Sequence, residues 1–161
     1  MSVVRSRRVI RELIHRLKYN REIWIVKTLG RILVQGLEDA RLSGQDFDAI
    51  VPVPLHSKRL REREFNQAAL LAGQLSRASG LPVCDVLVRS RYTVTQTALD
   101  RAERRQNLRN AFSLRKNAVV TDQNLLLIDD VLTTGSTLDA CAAILLEQGA
   151  ESVRALTLAR G

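Results

Sequence analysis

The stretch LLLIDDVLTTGST, residues 125–137, decides the fold. It opens with an apolar run that ends in two aspartates, and the residues from Ser136 to Gln148 then show helical periodicity up to Gly149. A strand, a polar turn and a helix therefore follow one another. Because ligands of open parallel sheets bind beyond the carboxyl ends of the strands, the polar turn is the predicted binding site.

This polar turn has the groups that a phosphate monoester needs. Backbone N–H groups at the start of a helix attract anions, and Gly135 allows the backbone to come close to a ligand. Hydroxyl groups come from the neighbouring residues Thr133, Thr134, Ser136 and Thr137. Asp129 and Asp130 repel phosphate, but they accept hydrogen bonds from vicinal hydroxyls. Phosphate on one side and a diol on the other describe a ribose 5-phosphate.

Two other interpretations of the stretch are weaker. Asp130 and the hydroxyl residues could cap the following helix, yet a single cap residue would suffice for that. The aspartates could instead be the acidic cluster of a receiver domain. Such a cluster opens its domain, whereas only 31 residues follow Asp130 here. A phosphoribose site is the better hypothesis.

The segments around this stretch predict a doubly wound α/β fold. Residues 49–54, AIVPVP, are short and β-branched and form the predicted first core strand. The charged segment after it is predicted as a loop, and a helix is expected from there to Gly80. Residues 81–89 and 152–159 are predicted as further strands of a parallel sheet. The polar residues 91–112 are expected to start extended, to become helical about halfway and to form a functional loop.

The first 45 residues are predicted as a helical extension of a single domain whose core is residues 46–161. Apolar side chains recur at helical spacing in residues 3–18 and 23–42. A chain of 161 residues that is 45% hydrophobic suits one compact domain. No apolar run approaches the about 18 to 20 residues that span a bilayer, and the N-terminus lacks the apolar block of a signal peptide. We therefore expect a soluble, cytoplasmic protein without membrane insertion.

Cysteine and histidine usage argues against several classes of chemistry. Cys84 and Cys141 lie in unrelated apolar contexts, so neither a zinc site nor a disulfide framework is indicated. His15 and His56 are each alone in their segments. No metal triad and no Ser/His/Asp set can be assembled from the local sequence, and hydrolases of those kinds are not expected.

Positive charge is concentrated in two zones. Residues 1–21 hold seven basic side chains and one acidic one, a net charge of +6. Residues 89–116 hold eight basic and two acidic side chains, which is again +6, on a chain whose total is +8. The zones suit an anionic partner, either phosphates of a small substrate or a nucleic acid backbone. Candidate nucleic acid contacts are Arg104, Arg105 and Arg109, and a merely solvated basic face is the alternative.

The stretch LLLIDDVLTTGSTL resembles the phosphoribosyl pyrophosphate signature of type I phosphoribosyltransferases. Further segments resemble the ComF family of competence proteins in the same order along the chain: HRLKY (residues 15–19), VPVPLHSKRLREREFNQ (residues 51–67), TQTALDRAERRQNLRNAF (residues 95–112) and LTLAR (residues 156–160). The resemblance implies a type I phosphoribosyltransferase fold, with a mainly parallel five-stranded sheet flanked by helices. It also implies a role in competence, DNA uptake or DNA utilisation.

Site roles carry over from this resemblance by position. Asp129 and Asp130 would hold the ribose hydroxyls and, through water, Mg²⁺, while residues 133–137 would hold the 5′-phosphate. The loop that meets pyrophosphate would consist of Leu55, His56, Ser57, Lys58 and Arg59. A mobile loop that closes over the site would contribute Gln96, Thr97, Arg101, Arg104 and Asn107. Residue types alone allow a solvated helix start for the first loop and a surface amphipathic helix for the second.

Three features depart from the family pattern. The family usually has glycine within RGFNQ, where Arg63 is followed by Glu64 here, so backbone flexibility or an anion contact is in question at that point. A glycine is also expected near Lys18 and Tyr19, where Asn20 and Arg21 stand. The family commonly begins with a four-cysteine zinc ribbon, and these residues begin directly at the basic segment.

Two functions follow from these observations. The first is a Mg²⁺-dependent transferase that displaces pyrophosphate from C1 of phosphoribosyl pyrophosphate, in which proximity and charge stabilisation do most of the work. The second is a module that binds a phosphoribosyl ligand and single-stranded DNA, alongside proteins of the competence machinery. An aromatic content of 4% disfavours a base-stacking platform of the OB type, whereas electrostatic binding needs only the basic zones.

Overall fold

The computed structural model describes residues 2–5, 8–91 and 110–160. The strands are β1 (Ser2–Arg5), β2 (Ala49–Pro52), β3 (Leu87–Arg89), β4 (Phe112–Leu114), β5 (Asn124–Leu132) and β6 (Ser152–Arg160). The α-helices are α1 (Arg8–Asn20), α2 (Ile25–Val34), α3 (Ser57–Arg63), α4 (Gln67–Ser79) and α5 (Ser136–Glu147), and Gln35–Glu38 forms a 3₁₀ helix. None of these helices is long and apolar enough to cross a membrane.

The central sheet is parallel, with its four strands in the order β1, β6, β5, β2. The strand of the deciding stretch, β5, lies in the middle between β2 and β6. The predicted α/β class with a mainly parallel sheet is confirmed. The expected number of five strands is wrong for the described residues. Beyond β2, Val83 makes only an isolated parallel bridge to Ile50, because the chain then leaves the sheet edge.

The segment predicted as the next parallel strand, residues 81–89, is also different in the structure. Its last three residues form β3, which pairs antiparallel with β4 in a separate two-stranded sheet. Leu87 and Phe112 from this small sheet are buried in the same apolar cluster as Leu138 of α5. Packing against α5 therefore decides where this segment goes, and the apolar pattern alone does not reveal it.

The two faces of β5 explain the layers of the fold. Successive side chains of a strand point to opposite faces. Leu126 and Ile128 pack in one buried cluster with apolar residues of α1, α2 and α4. Leu125 and Leu127 pack in the other, with residues of α5 and the small sheet. Helices therefore cover both faces, as the uninterrupted apolar run at the start of β5 predicts.

The N-terminal segment is part of the sheet and not only a helical extension. Residues 2–5 form β1, which pairs with β6 in the register Ser2 to Thr157. Val3 is β-branched and packs on Gly36, where a Cβ atom would lie 2.7 Å from Val3 Cγ2. The predicted helix over residues 3–18 begins at Arg8 instead. The helical period of its apolar residues is correct, because Ile14 and Leu17 are buried.

The charged segment after β2, predicted as a loop, contains the short helix α3. His56 caps it, since the Lys58 N–H donates to His56 Nδ1 at 3.2 Å. The helix ends at Glu64, which has a left-handed backbone with φ of 70°. The charge density of this segment indicated a loop. A helix forms because His56 caps its start, the residues up to Arg63 are mostly good helix formers, and Glu64 ends it in a left-handed conformation.

Candidate functional site

The two aspartates lie at the carboxyl end of β5, between the strand core and the turn to α5. Asp130 shares the face of Ile128 and is buried, whereas Asp129 points to the face of α5 and is partly buried. The Asp130 N–H donates to Asp129 Oδ1 at 2.8 Å. The predicted position at the sheet edge is thus where the structure has them, one on each face of the strand.

Asp130 forms an ion pair with Lys18, through Oδ2 and the Lys18 ammonium. The side chain of Asp130 is 6% exposed and that of Lys18 is 19% exposed. Lys18 reaches this carboxylate because Ile14 and Leu17 anchor α1 on the same face of the sheet. Lys18 is not among the site residues predicted from the sequence, although it lies within the family-like segment HRLKY.

The electrostatics of Asp129 differ from those of an exposed carboxyl. Burial raises the pKa of Asp129 to about 8, the negative charge of Asp130 adds to the rise, and the charge of Lys18 opposes it. A bound cation would lower this pKa and favour the ionised form.

The cysteine behind Asp129 is buried. Burial raises the pKa of the Cys141 thiol above its usual range, and the charge of Asp129 contributes in the same direction. Cys141 stays protonated at neutral pH. It is a packing residue of α5 in the core and does not have the environment of a nucleophile.

The turn between β5 and α5 has the geometry of an anion cradle. Gly135 precedes the first residue of α5 and has φ of 84°, in the left-handed region that glycine adopts without strain. The hydroxyls of Thr134 and Ser136 lie 2.9 Å apart. The first backbone N–H groups of a helix have no carbonyl one turn earlier and can bind a ligand. At α5 the Ser136 N–H donates to Thr134 Oγ1 at 3.4 Å. The predicted phosphate residues 133–137 thus surround one helix N-terminus.

The predicted pyrophosphate loop is tied to β5 and to the small sheet. The Val53 N–H donates to Ile128 O at 2.9 Å, and Asn66 Nδ2 donates to Val53 O at 2.9 Å. His56 forms an isolated parallel bridge with Arg89. Leu55 precedes this bridge, and the remaining loop residues Ser57, Lys58 and Arg59 form the exposed first turn of α3. The structure therefore brings this segment to the sheet edge that carries the aspartates.

Arg89 is a further cation at this edge. It stands at the end of β3, with its guanidinium carbon 5.2 Å from the centre of the Phe112 ring. Phe112 packs in the apolar cluster that includes Leu138 of α5, so Arg89 lies on the α5 side of β5. The sequence placed Arg89 only in a basic zone. Its pairing with His56 at the site could not be read from that pattern.

The end of α1 is fastened to the end of α3. Arg21 forms an ion pair with Glu64, and its guanidinium also donates to Glu62 O at 3.1 Å. The guanidinium carbon of Arg63 lies 5.4 Å from the centre of the Tyr19 ring. These contacts hold the end of α1, which carries Lys18, against the last residues of α3.

The remaining predicted residues lie outside the described part of the chain. These are the mobile-loop residues Gln96, Thr97, Arg101, Arg104 and Asn107, with the nucleic acid candidates Arg105 and Arg109. Their roles stay predictions.

Asp129 and Asp130 offer carboxylate oxygens to Mg²⁺, and the described residues contain no group of three or more His, Cys, Asp or Glu side chains that could hold a metal ion. Carboxylate oxygens are the hard ligands that this ion prefers, commonly with water between ion and protein. A cation, the Lys18 ammonium, already contacts Asp130. Asp129 and Asp130 are thus the residues that would hold the ion, and its chemistry there would be to neutralise a bound pyrophosphate.

The fold is that of a phosphoribosyltransferase domain. Residues 66–161, more than half of the chain, match the family model described as phosphoribosyl transferase domain. Glutamine phosphoribosylpyrophosphate amidotransferase from B. subtilis is a structural neighbour, with a TM-score of 0.53 and 23% identity over 82% of this chain and 25% of that chain. Adenine phosphoribosyltransferase from Saccharomyces cerevisiae superposes with a TM-score of 0.52 at 18% identity, covering 82% of this chain and 68% of that chain.

Within this class the chain belongs to the ComF family, which confirms the resemblance of the motifs. It is 42% identical to "Competence protein F" of Haemophilus influenzae over 92% of this chain. It is 39% identical to "DNA utilization protein YhgH" of Escherichia coli, again over 92% of this chain. The chain spans 66% of the length of each of these relatives.

Proposed function

We propose that this domain binds phosphoribosyl pyrophosphate with Mg²⁺ and transfers its phosphoribosyl group to an acceptor, within a protein that serves DNA uptake or utilisation. The observation that carries the proposal is the succession of Asp129 and Asp130 at the end of β5, the turn with Gly135 and the N-terminus of α5. The carboxylates can accept hydrogen bonds from vicinal hydroxyls, and the N-terminus of α5 can bind a phosphate. These groups follow one another closely in the sequence, so one ribose 5-phosphate would contact both.

In the proposed reaction, the bond from C1 of the ribose to pyrophosphate breaks and pyrophosphate leaves with the bonding electrons. A bond then joins C1 to the nucleophile of the acceptor. The protein's task is to hold the two reactants in line and to stabilise the charge that develops on the leaving group. Lys58 and Arg59, in the first turn of α3, would supply positive charge on that side. The loop with Arg101 and Arg104 would exclude water.

Calorimetry with phosphoribosyl pyrophosphate and Mg²⁺ tests the binding step. An assay of pyrophosphate release over candidate acceptors tests the transfer. Saturable binding with release supports the enzyme, whereas binding without release over all acceptors favours a binding module. If phosphoribosyl pyrophosphate gives no heat of binding and ribose 5-phosphate displaces none of it, the proposal is contradicted.

A specific surface favours the second candidate, binding of single-stranded DNA. The aromatic patch, as we call it, consists of His15, Arg16, Tyr19, Trp24 and Arg63. The Tyr19 and Trp24 side chains are 63% and 66% exposed. Arg16 lies 5.7 Å from the Trp24 ring centre, and the His15 and Tyr19 ring centres are 4.6 Å apart. Exposed rings among arginines are the groups on which unpaired bases stack.

The aromatic patch bears on the prediction that a chain with 4% aromatic residues does not stack bases. Low aromatic content disfavours a stacking platform, but two of the few aromatic residues, Tyr19 and Trp24, are exposed and each contacts an arginine. The patch lies in and beside the basic zone of residues 1–21. The same protein surface would therefore offer both rings for bases and cations for the phosphate backbone.

A further inference from the structure

The ion pair between Lys18 and Asp130 places a lysine of α1 in the proposed ribose site. Lys18 lies outside residues 66–161, the part of the chain that matches the general domain family. Both members of the pair are largely withdrawn from solvent, with 19% and 6% of their side chains exposed. Lys18, a residue of the N-terminal segment, therefore lies at the carboxylate cluster, which consists of Asp129 and Asp130 at the end of β5.

Such a pair limits which ligands can bind. If the hydroxyls of a ligand bind the Asp130 carboxylate, the Lys18 ammonium loses its ion-pair partner. A cation left in a partly buried position without an anion is costly, because it has given up water and gains no compensating charge. The ligand is thus favoured if it brings its own anion within reach of Lys18.

The surroundings of Lys18 indicate where that anion would lie. Tyr19 contacts Arg63, and Arg21 contacts Glu62 and Glu64, so the end of α1 is held against α3. Helix α3 directly follows the loop of residues 55–59. Lys18 therefore lies next to Asp130 at the end of α1 that contacts the last residues of α3, on the face of the sheet opposite to α5.

We propose that Lys18 is a specificity-determining residue, which selects ribose phosphates that carry phosphate or pyrophosphate at C1 over ribose 5-phosphate itself. In the ligand-free protein Lys18 neutralises Asp130. When the ribose hydroxyls bind Asp130, the ammonium moves to the anion at C1. The inference rests on the proposed phosphoribosyl site and adds a residue that distinguishes its ligands.

The test compares two ligands in matched variants by calorimetry at one fixed Mg²⁺ concentration. Phosphoribosyl pyrophosphate and ribose 5-phosphate are titrated into the wild type, Lys18→Met and Lys18→Arg. We expect Lys18→Met to lower affinity for phosphoribosyl pyrophosphate by about tenfold or more, the effect of losing a charge-assisted contact. Affinity for ribose 5-phosphate should stay equal or rise. Lys18→Arg keeps the charge and should keep most of the preference.

Effects on Asp130 that are common to both ligands cancel in the ratio of the two affinities. Lys27→Met, at an exposed lysine of α2, is the matched control and should leave the ratio unchanged. Lys18→Gln, an uncharged donor to Asp130, gives the same comparison if Lys18→Met does not fold by circular dichroism. An unchanged ratio in the uncharged variants overturns this inference alone. A wild type that binds neither ligand overturns the proposed function, and the inference with it.

Discussion

Arg21 and Glu64 form an ion pair, with 3.0 Å between Arg21 Nη1 and Glu64 Oε1, and both have left-handed backbones. Their φ angles are 56° and 70°. Both stand at or near the points where the family pattern leads us to expect glycine. The chain thus keeps a backbone conformation that glycine adopts freely, with two charged residues that adopt it at a cost of about 1–2 kcal/mol each. The exposed ion pair between them offsets only part of this strain.

Glu64→Gly is the first test of this relationship. Relief of backbone strain should outweigh the exposed ion pair, worth about 0–1 kcal/mol, and the extra freedom of glycine in the unfolded chain. We expect the free energy of unfolding to stay equal or to rise by up to about 1 kcal/mol. Urea denaturation measures it.

The matched control for Glu64→Gly is Glu62→Gly, two residues earlier and inside α3. Glycine in a helix interior should lower stability by about 1 kcal/mol. The two substitutions remove the same side chain, so opposite effects isolate the backbone conformation. A loss with Glu64→Gly as large as that with Glu62→Gly would mean that the ion pair matters more than the strain.

Gly135→Val should weaken binding of phosphoribosyl pyrophosphate strongly. Valine at φ of 84° is strained, and its branched side chain would stand at the helix start where the proposed phosphate meets the backbone. In the ligand-free protein a Cβ here has ordinary contacts, the nearest being Leu132 Cδ1 at 3.6 Å. The variant should therefore fold, and calorimetry measures its affinity.

Gly80→Val separates backbone strain from the loss of the cradle. Gly80 has nearly the same φ, 79°, but it ends α4 with open space around its Cβ position. It should lose similar stability and keep the ligand affinity of the wild type. If a folded Gly135→Val protein also keeps full affinity, the turn is not the phosphate site.

The deciding stretch made the centre of the fold predictable. Its apolar run fits a strand covered on both faces, and Gly135 with the following hydroxyls marks the turn to α5. These signals are local, so they can be interpreted without knowledge of the rest of the chain. The edges of the sheet depend on distant pairing. Ser2–Arg5 becomes a strand through β6, and Leu87–Arg89 through β4, and neither partner is evident from the segment itself.

The candidate site likewise has one part that the sequence predicts and one part that it does not. Asp129, Asp130 and the turn are consecutive, so their grouping follows from one motif. Lys18 reaches Asp130 across more than a hundred residues of sequence, and its place depends on how α1 packs on the sheet. The family pattern has a glycine near Arg21, and glycine is typical of a left-handed backbone. The structure has a left-handed backbone at Arg21 without the glycine.

Single-stranded DNA should bind in a salt-sensitive, sequence-independent manner, and the aromatic patch should contribute by stacking. Tyr19→Ala and Trp24→Ala should each weaken binding by about 1–3 kcal/mol per stacked base. The slope of log affinity against log salt should not change, because stacking releases no counterions. Charge reversal at Arg104 and Arg105 should instead flatten the slope. Fluorescence anisotropy with labelled oligonucleotides at several salt concentrations measures both quantities.

The control for the patch is Val9→Ala, a change at an exposed apolar residue of α1. It should leave DNA affinity unchanged. A salt slope near zero for the wild type would show that the basic zones do not meet phosphates. Unchanged affinity in both aromatic variants would remove the patch from the DNA surface, even if the salt dependence remains.

Asp130→Asn tests whether one pocket serves both ligands. The substitution keeps the size of the side chain, removes its charge and turns one acceptor oxygen into a donor. A lost charge-assisted hydrogen bond is worth about 1.5–3 kcal/mol, so affinity for phosphoribosyl pyrophosphate should fall about tenfold to a hundredfold. Asp122→Asn, at an exposed turn residue whose left-handed backbone asparagine tolerates, makes the same charge change away from β5 and should have no effect.

DNA affinity should respond differently to Asp130→Asn. In this model, DNA is held by the aromatic patch and by basic residues other than Lys18, outside the carboxylate cluster. One negative charge fewer on the protein should leave its affinity equal or slightly higher. Calorimetry and anisotropy on the same preparation give both affinities, and circular dichroism checks the fold, because Lys18 loses its charged partner. If an intact Asp130→Asn protein no longer binds DNA, the nucleic acid occupies the ribose site itself and the model of two separate surfaces is wrong.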